Sequence, residues 1–330
     1  MQFSNNNTIS PAGKLKYLNK TSLIIFIKIL IAVGLLLFLV NSVDYDKIVG
    51  ALNQVNIYLI GFVLLLGIVN IYFQFAKWQL TCSEVLGVNN KMKVFRSLFY
   101  GFSAGIITPL RLGEYFGRGI EFRDKSFVQV TLATLVDKFF ALILVAFTGS
   151  ISSLLFIYIY YQVSLYLVVT LFAVIFTLFY FFFLLLLSDR FWNKVIFSKI
   201  KSSPKLKTFF NMLLVFQNLD RKYFYKMLLI SFLFFSCFLI QYALLVSAFS
   251  DHYDFINYLW AASLIMFVKT IVSPISIGEL GIREGASVFF LTQIGESAAV
   301  AFNASIFLFI INLLIPALIG VGMFFKRDDK

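Results

Sequence analysis

Long apolar runs separated by short polar or charged stretches make up most of this chain. A helix needs about 20 such residues to cross roughly 30 Å of hydrocarbon. Six runs meet that length: Ser22 to Val40, Ile57 to Ala76, Phe127 to Phe147, Val163 to Leu187, Met227 to Phe249 and Val300 to Phe324. Each predicts a membrane-spanning helix. Two further stretches, Phe95 to Ile107 and Phe255 to Ser273, run into clusters of proline, glycine and charge and then resume. The pattern predicts interrupted elements there rather than plain spans. Between Ser188 and Lys226, Phe209, Met212, Leu213, Phe216 and Leu219 form one apolar stripe at helical spacing, which predicts a cytoplasmic surface helix.

Composition agrees with the pattern. The 330 residues are 60% hydrophobic and only 13% charged, against about 25% charged in globular domains. The fold class expected is an all-α polytopic membrane protein. The net charge of +12 is better read as membrane topology than as a nucleic-acid surface. With the N-terminus in the cytoplasm, most basic residues fall inside: Lys14, Lys16 and Lys20, then Lys77, Lys91, Lys93 and Arg96, the segment from Arg190 to Lys226, and the tail. Both termini are therefore expected in the cytoplasm. Asn41 to Asp44 offers no small-residue cleavage site, so the first run reads as a retained helix rather than a signal peptide.

Several chemistries find little support. Cys82 and Cys237 have no CxxC partner, and the single histidine, His252, sits in a loop beside Asp251 and Asp254. No GxxxxGK[ST] stretch occurs. Neither a metal nor a cofactor is expected, and the chain is not expected to be an enzyme.

The two interrupted stretches carry the same pattern. Thr108-Pro109-Leu110-Arg111-Leu112-Gly113-Glu114-Tyr115-Phe116-Gly117-Arg118 aligns without a gap on Ser273-Pro274-Ile275-Ser276-Ile277-Gly278-Glu279-Leu280-Gly281-Ile282-Arg283. Both read [ST]-P-x-x-[LI]-G-E-x-x-x-R in a chain with only five prolines, which points to a duplication. Three spans per copy is an odd number, so the second copy is expected to be inverted relative to the first. The domain map is then a tail over 1–21, a first repeat over 22–155 with its motif at 107–119, and a second repeat over 156–325 with its motif at 272–285. A basic linker over 188–226 lies within the second repeat, and a tail over 326–330 follows it.

Unpaired backbone is tolerated at membrane depth only where protein or a water-filled cavity surrounds it. Pro109, Gly113, Gly117, Pro274, Gly278 and Gly281 therefore predict two re-entrant hairpins whose tips meet near the bilayer centre. Arg111, Arg118 and Arg283 would supply fixed positive charge for a phosphate, with Glu114 and Glu279 countering them. Ionisable residues inside apolar segments cost about 2.5–3.5 kcal/mol each on insertion scales, so Asp137, Lys138 and Lys269 join the candidate substrate-binding set. Asp137 is expected to pair with Arg111 or Arg118. Two other readings stay open: Arg111 and Arg118 as ordinary cytoplasmic loop charges, and Asp137 with Lys138 as an internal structural ion pair.

The segments "ITPLRLGEYFGRG" and "SPISIGELGIREG", with Asp137-Lys138 after "LATLV", resemble the lysylphosphatidylglycerol synthase transmembrane family of flippase-like proteins. The resemblance implies a multi-pass protein of a bacterial inner membrane that moves an aminoacylated or otherwise modified lipid between leaflets. With the last residue at Lys330, it implies the membrane part without the synthase domain. The function expected is a translocase for an anionic phospholipid, aminoacylated lipid or lipid-linked intermediate. The alternatives are an intramembrane enzyme acting on a lipid phosphate or glycosyl carrier lipid, and a scaffold for a separate enzyme. Expected partners are membrane lipids with anionic headgroups and a separate lipid-modifying enzyme, with no nucleic acid.

Overall fold

The computed structural model describes residues 34, 38, 40, 41, 43, 45–108, 111–186, 221–272 and 281–328. Among these every regular element is helical. In chain order they are α1 (Tyr45–Asn53), α2 (Ile57–Thr81), α3 (Lys91–Ile107), α4 (Gly113–Gly119), α5 (Phe127–Tyr161), α6 (Leu165–Leu186), α7 (Arg221–Phe249), α8 (Phe255–Val272), α9 (Ile282–Ile294), α10 (Ala298–Phe309) and α11 (Ile315–Asp328). A π-helical turn over Cys82–Leu86 prolongs α2, and another over Ile310–Leu314 joins α10 to α11.

Local chemistry sets the starts. Asn56 and Asn90 each accept from two backbone N–H groups of the helices they precede. Ser126 and Gln129 form a reciprocal capping box at the start of α5, and Ser297 caps α10 through Val300 N–H. The turn at Ile310–Leu314 comes just before Pro316, which has no N–H to offer the preceding turn; the chain widens and Ile315 N–H bonds to Ile310 O instead.

Six helical stretches are long and apolar enough to cross a membrane: Ile57–Leu86, Phe127–Tyr161, Leu165–Leu184, Arg221–Phe249, Phe255–Val272 and Ala298–Lys326. The chain is a multi-pass membrane protein. The set differs from the one expected. The Ser22–Val40 run lies almost wholly outside the described residues, as do the linker stripe from Phe209 to Leu219, Pro109, and the second motif from Ser273 to Leu280, which includes Pro274, Gly278 and Glu279. Phe255–Val272 was expected only as one limb of an interrupted stretch, yet it is an unbroken helix of spanning length. Two helices also overrun their expected ends. α2 passes through Lys77, whose charge is met inside the protein, and α5 runs on to Tyr161, so a repeat boundary at 155 falls within a helix.

Element order repeats along the chain. The shift that lays Thr108 on Ser273 also lays Ile57 on Lys222, one residue into α7, Lys91 on Ile256, one residue into α8, and Ile107 on Val272, the last residue of α8. Two apolar cores correspond roughly to the two sets. One gathers Trp78, Leu98, Phe99, Phe102, Phe122 and Val130, with Ala317 from α11. The other gathers Phe235, Tyr242, Tyr258, Leu264, Phe290 and Leu308, with Ile60 and Val145 from the first set. Each core thus borrows from the other half, which ties the halves together.

The first motif folds as a tight antiparallel helix pair. A Cβ on Gly113 would lie 2.0 Å from Ala104 O, and one on Gly117 2.3 Å from Tyr100 O, so α4 lies directly on the α3 backbone. Only glycine permits this approach, a small-xxx-small contact of the kind membrane helices use. Thr108 closes the turn, donating to Ala104 O at 3.1 Å and accepting from Gly113 N–H at 2.6 Å. We expect Gly113→Ala and Gly117→Ala each to lower stability by at least about 1–3 kcal/mol, the range for overpacking. Gly119→Ala, which meets nothing within 4 Å, should be near neutral. Thermal unfolding of the detergent-purified protein checks the difference.

Candidate functional site

The α3–α4 contact places the side chains of α4 against α5 and α2, and a network of six charges forms there. Arg118 lies between two carboxylates, 2.8 Å from Glu114 Oε1 and 2.9 Å from Asp137 Oδ2. Glu114 Oε2 in turn meets Lys138 Nζ at 2.7 Å and Arg111 at 3.2 Å, and Lys77 Nζ lies 3.8 Å from Asp137 Oδ1. Glu114, Arg118, Asp137 and Lys77 are buried. The Arg118 guanidinium also stacks on Trp78, 4.2 Å from the ring centroid. Trp78 Nε1 donates to Ser97, whose hydroxyl donates to the Arg118 carbonyl.

This arrangement sorts the expected residues. Asp137 is paired with Arg118, one of its two anticipated partners, and Lys138 reaches Glu114 one residue later, so both neighbours on α5 serve the same hairpin. Arg118 has its charge spoken for by two carboxylates and an aromatic face, which suits holding the hairpin together. Arg111 is different. Its φ of 54° puts a non-glycine residue in the left-handed region, at a cost of about 1–2 kcal/mol. Such strain at a charged residue points to a functional demand on its position.

In the second motif copy Arg283 is buried and held by Glu284, by Ser305 Oγ at 2.9 Å, and by the Phe309 ring 5.4 Å from its carbon centre. Glu284 also accepts from the N–H of Gly281, whose φ of 86° favours glycine, and from Ser305. Glu279 was the carboxylate expected there; it lies outside the described residues, and Glu284 makes the pairing seen.

A cavity of about 70 Å³ joins the two copies. It is lined by Arg111 from the first motif, Arg283 from the second and Lys269 from α8, together with Asn70, Gln74 and Asn312. Three cations from both halves line one partly open space with room for a few waters or one phosphate-sized group. No group of three or more His, Cys, Asp or Glu side chains suited to a metal occurs among the described residues.

The profile of the family described as "Lysylphosphatidylglycerol synthase TM region" matches residues 25–320. The chain belongs to this family. No curated protein matches it. As a chain of the lysylphosphatidylglycerol synthase transmembrane-region family, it is a membrane protein in which all three motif arginines meet a carboxylate, and Arg111 and Arg283 also line the shared cavity with Lys269.

Removing one partner of a buried ion pair leaves the other uncompensated, at about 3–5 kcal/mol. Arg118→Ala should fall in that range because it takes a close partner from both carboxylates at once and leaves Asp137 with only Lys77 at 3.8 Å. Lys138→Ala should cost less, about 1 kcal/mol, because Glu114 keeps two arginines. Equilibrium unfolding in mixed micelles measures both, and equal losses would contradict this ranking.

Proposed function

We propose that this chain is a flippase-like translocase for an anionic lipid, whose headgroup crosses through the cavity between the two motif copies while its acyl chains stay in the bilayer. The observation that carries the reading is the convergence of Arg111, Lys269 and Arg283 on one cavity. A guanidinium offers two parallel hydrogen bonds to a phosphate, and an ammonium adds a point charge. Arg118, Glu114, Asp137 and Lys138 hold the first hairpin in place, so they position Arg111 rather than bind the headgroup.

In this reading the two motifs are re-entrant hairpins of an inverted-topology duplication, with both termini in the cytoplasm of a bacterial inner membrane. The matching order of helices supports the duplication, and the 17-residue α3 and 7-residue α4, at about 1.5 Å per residue, suit a hairpin that enters and leaves on one side. Rocking of one half against the other would expose the cavity to each leaflet in turn. The anionic lipid is then the partner, and a separate enzyme that makes it is the second.

Reconstitution tests the function. In liposomes carrying acyl-labelled anionic phospholipid, we expect label to exchange between leaflets without any new lipid product. A new product without exchange would indicate an enzyme, and neither would indicate a scaffold. Lys269→Met and Arg111→Gly should each slow exchange by at least about tenfold, the equivalent of one charge-assisted hydrogen bond. Arg111→Gly should change thermal stability little, because relief of the left-handed backbone, about 1–2 kcal/mol, offsets the loss of one of the three cations at Glu114. Unchanged exchange in both variants would remove the phosphate assignment.

A further inference from the structure

We infer that the span formed by α10 and α11 mechanically couples the two motif regions, with the π-helical turn over Ile310–Leu314 as its joint. This rests on the translocase reading above and deepens it, naming the element through which a movement at one motif reaches the other.

The two arms of the span hold different partners. α10 grips α9: Ser287 Oγ donates to Ala301 O at 2.5 Å, Arg283 Nε donates to Ser305 Oγ at 2.9 Å, and Ser305 Oγ donates to Glu284 at 3.2 Å. Ala301, Ala304 and Leu308 of this arm belong to the core built mainly from α7, α8 and α9. α11 grips α3 instead. A Cβ on Gly320 would lie 2.3 Å from Phe99 O, so the two backbones touch. Ser103 Oγ donates to Ala317 O at 2.7 Å and Tyr100 OH to Met323 O at 3.4 Å, and Ala317 belongs to the other core. Because α3 carries α4 on its backbone through Gly113 and Gly117, one span holds a motif helix pair at one end and the motif helix α9 at the other. The arms, of 12 and 14 residues, are about 18 Å and 21 Å long at 1.5 Å per residue.

Between the arms the helix is interrupted. Ile315 N–H bonds to Ile310 O, and Pro316 has no N–H to give, so the backbone ladder is weakest at this turn. α2 and α5 also reach both cores, yet they run unbroken from Ile57 to Thr81 and from Phe127 to Tyr161. The joint is pinned to that frame. Asn312 Nδ2 donates to Gln241 Oε1 of α7 at 2.7 Å, and Gln241 Nε2 donates to Val63 O of α2 at 3.2 Å. Asn312 and Leu313 also line the shared cavity. A bend at the turn therefore moves α3 and α9 about a fixed point in the cavity wall, and tightly packed contacts at both ends pass the movement on rather than absorb it.

The test fixes one motif and reads the other. Phe116→Cys on α4 and Phe127→Cys on α5, at positions whose rings stack 4.6 Å apart, are joined by a short bifunctional thiol reagent in the full chain lacking Cys82 and Cys237, held in lipid nanodiscs. This clamps the α3–α4 pair to the frame. Hydrogen exchange read by mass spectrometry then follows the amides of α9, which the clamp should slow by at least about fivefold, the low end of couplings between distant sites. Gly320→Ala forces α11 away from Phe99 and should abolish the slowing. Gly322→Ala, whose Cβ meets nothing within 4 Å, should preserve it. Ser103→Ala removes one bond of the α11 grip without adding bulk and should reduce the slowing, which keeps the test decisive should Gly320→Ala fail to fold. No slowing in the clamped chain, or full slowing in Gly320→Ala or in Ser103→Ala, would overturn the inference. Slowing that depends on the α11 grip, in a protein that exchanges no lipid between leaflets, would instead overturn the translocase reading and leave the coupling standing.

Discussion

A charge surrounded by hydrocarbon must find a partner inside the protein, line a protein-enclosed cavity, or be absent. In the first half of this chain four cations and two carboxylates lie at one crossing of α2, α4 and α5, and nearly every feature nearby follows from matching them. Arg118 bridges Glu114 and Asp137. Gly113 and Gly117 bring α4 close enough to α3 for that bridge to form, and α2 continues past Lys77 because Asp137 is there to meet it. The network holds more positive than negative charge, and this surplus extends to the cavity through Arg111.

The two motif copies have met the same demand by different means. At equivalent positions Arg118 uses a carboxylate one turn away and another on α5, whereas Arg283 uses its own sequence neighbour, Glu284, and a serine from α10. Both arginines lie near an aromatic ring. What differs is the first position of the motif, where Arg111 stands opposite Ser276 in the aligned copy. The first copy thus places two arginines where the second has one.

Charge was the legible part of the site. Asp137 could be matched to an arginine from sequence because isolated charges in apolar runs have few available partners, and the repeated motif named the candidates. Lys77 was missed because a lysine at the end of an apolar run looks like a cytoplasmic flank. Glu284 was missed because the shared pattern drew attention to Glu279. Asn70, Gln74, Gln241 and Asn312 carried no charge and broke no run, so hydropathy passed over them, although Asn70 and Gln74 at i,i+4 spacing inside a span were an available signal. In the fold, the apolar runs gave the helical class directly, while the status of Phe255–Val272 depended on how α8 packs between α5, α7 and α9, which no local pattern records.

The central claim is that Arg111 and Lys269, one from each half of the chain, face a common cavity. Cysteines at 111 and 269, in a variant lacking Cys82 and Cys237, should be joined within one chain by a short bifunctional thiol reagent in native membranes. Cysteines at Ser152 and Ser263, whose hydroxyls lie 3.1 Å apart, serve as the positive reference. Cross-linking of both pairs is the result this account requires; cross-linking of the reference pair alone would place the two motif regions apart and contradict it.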